Sequence, residues 1–328
     1  MNELITPAAA AELIRAGRAL ALAGPESALR QLPAGNWVGG TIPYFMAAGG
    51  GTVVEDGALL FATDLTGLGE VRVASYAAHE LASITAATAD NGVALTILPA
   101  GSDTHRRFAQ EAASYPEAFL KPTVGWIAGV HLNDLGRVTP KVFDGHDASA
   151  HEDRAVVAHI GLPPDRLADL EIVNIFEPGD GPVLRFEQTG FQVGECEIGG
   201  QRRRLSDWLA EQGLDHGRLP LVGDFAGAHV NVSFQSVDAA AGTVQLYAPV
   251  FSGVDYHVAR PVPDYAQAFR ERLAALSPDG LVMSCNCILN FVFGELQGKS
   301  IGGLQGPVTF GEIAYQLLNQ TLVVLRVR

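Results

Sequence analysis

Residues 228–251 read AHVNVSFQSVDAAAGTVQLYAPVF, and their patterning decides the class of fold. In the first half, Val230, Val232 and Phe234 occupy every second position; in the second, Val244, Leu246, Ala248 and Val250 do the same. Such alternation is what a strand with one buried and one solvated face requires, so both runs read as half-buried antiparallel strands.

Working outward, further strands are expected at 92–98, 155–160, 170–176 and across 183–198, with 281–293 a strand running into a helical turn. Turn signals predict three hairpins: 52–63 around Glu55-Asp56-Gly57, 123–143 around Asn133-Asp134-Leu135-Gly136, and a final one pairing 308–316 with 321–327. Helices are expected at 8–18, at 75–87, at 103–113 with Ser102 as its cap, at 205–212 and at 264–276. The fold class is therefore α/β (α+β), with two packed halves of largely antiparallel or mixed sheets flanked by helices. The most polar stretch, DGHDASAHED at 144–153, places a boundary between domains 1–150 and 151–328. A faint echo between Val38-Gly39-Gly40 with Pro43-Tyr44-Phe45 and Ile301-Gly302-Gly303 with Pro307 and Phe310 suggests two related halves meeting at a cleft.

Composition excludes several classes. With 48% hydrophobic and 18% charged residues, the chain of 328 residues builds a substantial core. Its net charge of −14 repels phosphate backbones, so no nucleic-acid partner is expected, and Arg202-Arg203-Arg204 reads as a solvated run. Three cysteines build no disulfide framework and fit a reducing compartment. The N-terminal 24 residues carry Glu3, Glu12, Arg15 and Arg18, unlike a secretory signal, and no stretch has the run of apolar residues a membrane span needs. A cytoplasmic protein with no membrane partner is expected.

Motifs for common chemistries fail on spacing. Gly298-Lys299-Ser300 ends like a phosphate-binding loop, but Phe293 stands where that loop needs glycine. Gly49-Gly50-Gly51 lacks the spacing of a dinucleotide fold. His79-Glu80 starts like a zinc-protease helix, but the second histidine position is Ser83. No G-x-S-x-G elbow is present, and Asp103-Thr104-His105 reads as a helix start. The Asp and His residues of 144–153 have no ligand spacing. No catalytic residue, metal site or cofactor is assigned. Ser284-Cys285-Asn286-Cys287 stays open: cysteine as a small strand-interior hydrophobe, as pocket lining, or as a nucleophile with a distant base.

A pocket is expected where the Gly-rich segment 33–51 meets the C-terminal hairpins. Polar groups set in apolar or glycine-rich sequence there are Asn36, Thr41 and Tyr44, then Ser284, Asn286 and Asn290 beside Cys285, and finally Glu312 and Tyr315. A buried Glu312 needs a partner: a turn it caps, Arg326, or a ligand ammonium.

The C-terminal segment resembles the end of the FIST sensory domains. The pieces that carry the likeness are Ser284-Cys285-Asn286, Gly306-Pro307, Phe310-Gly311-Glu312-Ile313 and Asn319-Gln320-Thr321, with thinner matches at Val38-Gly39-Gly40-Thr41 and Val124-Gly125-Trp126-Ile127-Ala128-Gly129. Cys287 departs from the family pattern. The resemblance implies a FIST N-terminal-like domain and a FIST C-terminal-like domain that sense a small molecule, an amino acid or another metabolite; a second departure from the family is that no fused output domain is expected within 328 residues. The signal would then leave through a separate partner protein. Some FIST-type proteins bind haem and respond to nitric oxide, which is one alternative; a cysteine-dependent hydrolase or transferase is the other. From the failed loop spacing and the acidic charge, calorimetry with ATP or NAD at micromolar concentration is expected to show no binding; a measurable heat of binding would reverse this exclusion.

Overall fold

The structure, a computed structural model, describes residues 1–277 and 279–328. Strand makes up 42% and helix 18%, so the mixed α/β class follows and sheets carry the architecture.

Three six-stranded sheets share one strand order: an opening strand, a closing strand, an inner pair, then a hairpin. The first holds Asn2–Ile5, Leu60–Asp64, the inner pair Leu20–Gly24 and Trp37–Thr41, and the hairpin Val142–Asp144 with Ser149–His151. The second holds Glu70–Ala77, Arg154–Gly161, the inner pair Gly92–Pro99 and Thr123–Ala128, and the hairpin Glu312–Ala314 with Gln316–Leu318. The third holds Ala168–Asn174, Thr321–Val327, the inner pair Leu281–Cys287 and Gly306–Thr309, and the hairpin Tyr44–Ala47 with Gly50–Val53. Only the inner pairs run parallel, and each is joined by a short helix: Glu26–Leu29, Asp103–Glu111 or Ile288–Phe293.

Along the chain, residues 2–64, 70–161 and 168–327 are thus three copies of one unit. Each lends its hairpin to a neighbour: 44–53 completes the third sheet, 142–151 the first, and 312–318 the second. The third unit also carries an insertion between its opening and first inner strands. This adds a six-stranded antiparallel sheet and a three-stranded one of Gly190–Val193, Thr243–Val250 and Phe234–Asp238. One apolar core draws on all three units, with Phe45 and Phe61 stacked at 6.0 Å and Trp126, Val323 and Leu325 buried among them.

Several expectations are corrected. The repeat is threefold, and the strands equivalent to Trp37–Thr41 are Thr123–Ala128 and Gly306–Thr309, not 301–303. Residue 150 falls inside the second unit. The stretch 144–153 turns within a hairpin, where Asp144 and Asp147 accept the backbone N–H groups of His146 and Ser149, both at 2.9 Å. None of the three expected hairpins forms as such, because their strands leave the turn for different sheets: Gly50–Val53 and Leu60–Asp64 lie in the third and first. The Ala-rich stretch 75–87 begins as the end of strand Glu70–Ala77, whose partner Arg154–Gly161 overrides its helix propensity, and only Ser83–Ala87 is α-helical. The run 228–237 breaks at Ser233 into strands of two sheets. Among the described residues no helix is long and apolar enough to cross a membrane.

His159 shows how this core treats titratable groups. The Thr88 hydroxyl donates to the Ile84 carbonyl at 2.9 Å, so its oxygen accepts from His159 Nδ1–H at 2.8 Å. Nε2 is then the acceptor for the Tyr76 hydroxyl at 2.7 Å. Burial holds the imidazole neutral, with its pKa lowered from 6.5 to about 4. The unfolded chain takes up this proton first, so the contribution is whole above pH 6.5 and lost as pH falls towards 4, on the order of 3 kcal/mol in all. We expect denaturant unfolding to show this loss in the wild type and a flatter profile in His159→Leu. That variant should also be about 1–3 kcal/mol less stable at pH 7, since Tyr76 and Thr88 lose their partner. An unchanged pH profile would assign the loss to other groups.

Candidate functional site

The first inner strand of each unit hands over to a helix, and the second to a loop. Where these ends from the second and third units meet, against the insertion, lies a pocket of about 700 Å³. The helix Asp103–Glu111 supplies His105 and Arg106, and the loop after Thr123–Ala128 supplies Arg137. The junction of strand Leu281–Cys287 with its helix supplies Cys287 and Leu289, and the insertion supplies Gln245 and Tyr247. Two smaller clefts adjoin it. One, of about 190 Å³, lies between the first and second units beside Glu26 and Glu55; the other, of about 550 Å³ and more open, runs beside Tyr44 and Lys299.

Two buried polar side chains on the main pocket's wall have an unused atom. His105 sits in the first turn of its helix, which Ser102 caps by accepting the His105 N–H at 3.0 Å. Gly101, whose φ of 76° lies in the left-handed region that its missing side chain allows, donates its N–H to His105 Nδ1 at 3.1 Å.

 The acceptor nitrogen is therefore Nδ1, and Nε2 carries the proton with no partner. Burial holds His105 neutral, its pKa lowered from 6.5 to about 4. Asn319, in the turn before the last strand, donates from Nδ2 to the Leu318 carbonyl at 3.1 Å, while its Oδ1 has no partner.

Behind this wall lies a buried polar network. Asn290 donates to Asn286 Oδ1 at 2.9 Å and to the Thr321 carbonyl at 3.0 Å, and accepts from the Tyr265 hydroxyl at 3.2 Å. Glu312 Oε2 accepts from the Thr321 hydroxyl at 2.7 Å and its N–H at 3.3 Å, while Oε1 has no partner. Burial pushes the Glu312 carboxyl well above the usual carboxylate range, and burial with Glu312 nearby pushes both the Cys285 and Cys287 thiols up. The thiol of Cys287 faces the Glu312 carboxyl. Burial therefore favours a neutral acid beside a neutral thiol and disfavours a thiolate prepared for attack.

None of the nine residues expected at a ligand site lines the main pocket. Thr41 and Tyr44 line the smaller clefts, where Thr41 Oγ1 accepts the Lys141 N–H at 2.9 Å and the Tyr44 hydroxyl accepts the Leu132 N–H at 3.0 Å. Asn36 donates to the Val71 carbonyl at 3.0 Å, outside all three. Ser284 donates to the Gln305 carbonyl at 3.0 Å and the Cys285 thiol to the Gly125 carbonyl at 3.3 Å; with Asn286, Asn290 and Glu312 they form the network behind the wall. Tyr315 sits in the hairpin turn at φ of 63°, against Phe119. Arg326 is buried but pairs with Glu171, so Glu312 meets Thr321 in the turn instead. Of the lining residues, Arg106, Arg137, Gln245 and Tyr247 belong to no motif in the sequence, Asn319 stands there only in a FIST-like piece, His105 in the expected helix start, and Cys287 in the tetrapeptide left open between hydrophobe, pocket lining and nucleophile.

The fold and pocket define a mixed α/β protein of three hairpin-exchanging units with one main cleft at their junction. Over residues 5–328 the chain matches the family described as "Family of unknown function (DUF6976)", and it belongs to that family. No curated protein and no solved structure matches it.

Because the folded state raises the Glu312 pKa above its reference value of 4.5, the folded protein keeps a proton that the unfolded chain releases. Its stabilising contribution is whole below pH 4.5 and is lost as pH rises towards the folded value. Glu312→Gln mimics the neutral acid. We expect it to stay within about 1 kcal/mol of the wild type near pH 5 and to gain on it steadily towards pH 8, as measured by denaturant unfolding. Glu312→Ala should cost about 2–4 kcal/mol, from the cavity and the stranded Thr321. A wild-type-to-Gln difference that is constant over this range would mean that Glu312 does not titrate as its burial requires.

Proposed function

We propose that the chain is a cytoplasmic small-molecule-binding protein of sensory type, taking its ligand in the 700 Å³ pocket and passing the signal to a separate partner protein. The observation that carries this reading is that His105 and Asn319, two residues on the wall of a largely apolar pocket, each keep a buried polar atom, Nε2 and Oδ1, without a partner. Buried polar groups are costly without partners, and a bound molecule is one way to supply them. The FIST-like pieces support the same reading, since Asn319 belongs to one of them and the Ser284-Cys285-Asn286 piece ends beside Cys287.

Cysteine chemistry is the second reading, favoured by the Cys287 thiol on the pocket wall with the Glu312 carboxyl behind it. It requires a ligand that draws the thiol's proton away, because burial disfavours the thiolate. The haem alternative is disfavoured at His105, where Nδ1 receives a backbone N–H and Nε2 holds the proton that a metal would displace.

The test is a thermal-shift screen of a metabolite panel on the wild type and on Leu289→Trp, which fills the pocket from its wall. We expect at least one compound to raise the wild-type Tm by several degrees and to leave the variant's unchanged. If every stabilising compound acts equally on both proteins, or none stabilises the wild type, binding in this pocket is refuted.

A further inference from the structure

The chain carries 36 acidic and 22 basic residues, so an average patch of its surface is acidic. The main pocket departs from that average. Among the described residues its lining includes Arg106 and Arg137 and no Asp or Glu. The equivalent cleft between the first and second units is lined by Glu26, Glu55 and Asp134. Two junctions of the same architecture therefore have opposite electrostatic character.

The pocket's hydrogen-bonding groups point the same way. His105 is neutral and offers a donor, Nε2–H, because Nδ1 is already occupied by the Gly101 N–H. Each arginine already meets one carboxylate outside the lining, Arg106 with Asp103 at 3.1 Å and Arg137 with Asp134 at 2.8 Å. A guanidinium has five donors, so both retain capacity for a further acceptor. Leu246, Ile288, Leu289 and Phe310 line the pocket as apolar surface. No carboxylate is on hand to receive an ammonium group. Glu312, the residue the sequence suggested for that part, is fully buried behind Cys287 and already holds Thr321.

Resting on the proposed binding function, we propose that the ligand is a small organic carboxylate with an apolar body and no ammonium group. Its acid oxygens accept from His105 Nε2–H and the two arginines, and its body lies against the aliphatic and Phe310 wall. This excludes free amino acids, whose ammonium would enter a pocket that has cations and no anion. The discrimination comes from the unpaired charge rather than from size, since a carboxylic acid and its amino-acid counterpart share the same body.

The experiment uses four probes with one phenylpropyl body: 3-phenylpropanoate, 3-phenylpropan-1-ol, 3-phenylpropylamine and phenylalanine. Their affinities for the full chain are measured by calorimetry at pH 7. We expect 3-phenylpropanoate to bind roughly tenfold or more tightly than each of the others. Arg137→Gln and His105→Gln should each weaken the carboxylate by roughly fivefold to tenfold while leaving the alcohol unchanged. Circular dichroism checks that both variants fold. If the alcohol, the amine or phenylalanine binds as tightly as the carboxylate, the anion assignment is overturned, while binding in the pocket stands. If the carboxylate fails to bind a protein that other compounds stabilise through the Leu289→Trp-sensitive site, the assignment is likewise overturned. If no compound acts through that site, the failure is that of the binding function itself.

Discussion

The exchange of hairpins among the three units is the constraint on which the rest of the structure depends. An inner strand such as Trp37–Thr41 would otherwise present an open edge of unpaired N–H and C=O groups. Its edge is covered by Val142–Asp144, from a segment more than a hundred residues later, and the same holds around the ring. No unit completes its own sheet, so the three are expected to fold as one cooperative body. The exchange also sets the loops. The chain leaving each second inner strand must cross to a neighbour, and in doing so it lines the junction between units.

Those junctions inherit the chemistry of whatever crosses them. Behind the main pocket the crossing brings the hairpin carrying Glu312 onto strand Thr123–Ala128, with Glu312 opposite Trp126. The carboxyl ends fully buried, next to the cysteines of Leu281–Cys287. Burial without a cation drives such a group to its neutral form, as it does His105 and His159. The interior thus holds polar groups but few charges. Among the described residues the buried cations are Lys121, 8% exposed beside Asp90 and Glu117, and Arg326, whose side chain is 1% exposed and pairs with Glu171.

Local features were legible in the sequence where one segment decided its own structure. Period-two alternation located Thr243–Val250, Ser102 marked the start of Asp103–Glu111, and the strand-to-helix passage at 281–293 breaks at Cys287. What was not legible was pairing. Glu55-Asp56-Gly57 does turn the chain, and Asp56 accepts the Ala58 N–H at 3.0 Å, but a turn says nothing of which sheet each flank joins. The repeat was hidden for a related reason. Its units share strand order while their lengths differ, and the third is interrupted by the insertion, so little sequence period survives. The site followed from that gap. Polar residues in the C-terminal pieces were visible, yet which faced a cavity and which faced one another depended on the exchange. Ser284 donates to the Gln305 carbonyl and Asn286 Oδ1 accepts from Asn290, while Cys287, at the very end of the same strand, reaches the pocket.

The threefold architecture also explains why one junction stands out. The two clefts of about 700 and 190 Å³ each gather a helix start and the loops that leave neighbouring inner strands, while the third, of about 550 Å³, lies against the end of helix Ile288–Phe293. The largest is the one the insertion walls, through Phe191, Gln235, Gln245 and Tyr247. The smaller cleft between the first and second units has no such wall and is lined by three acids. A symmetric ancestor of three like units would have had three like clefts. In this chain the insertion adds depth and polar amide groups to one of them, and that cleft is also the one free of carboxylates. Depth and an apolar wall coincide at the junction that the insertion walls, and the donors there, Arg106 and Arg137, come from the second unit and face a lining that itself holds no acid.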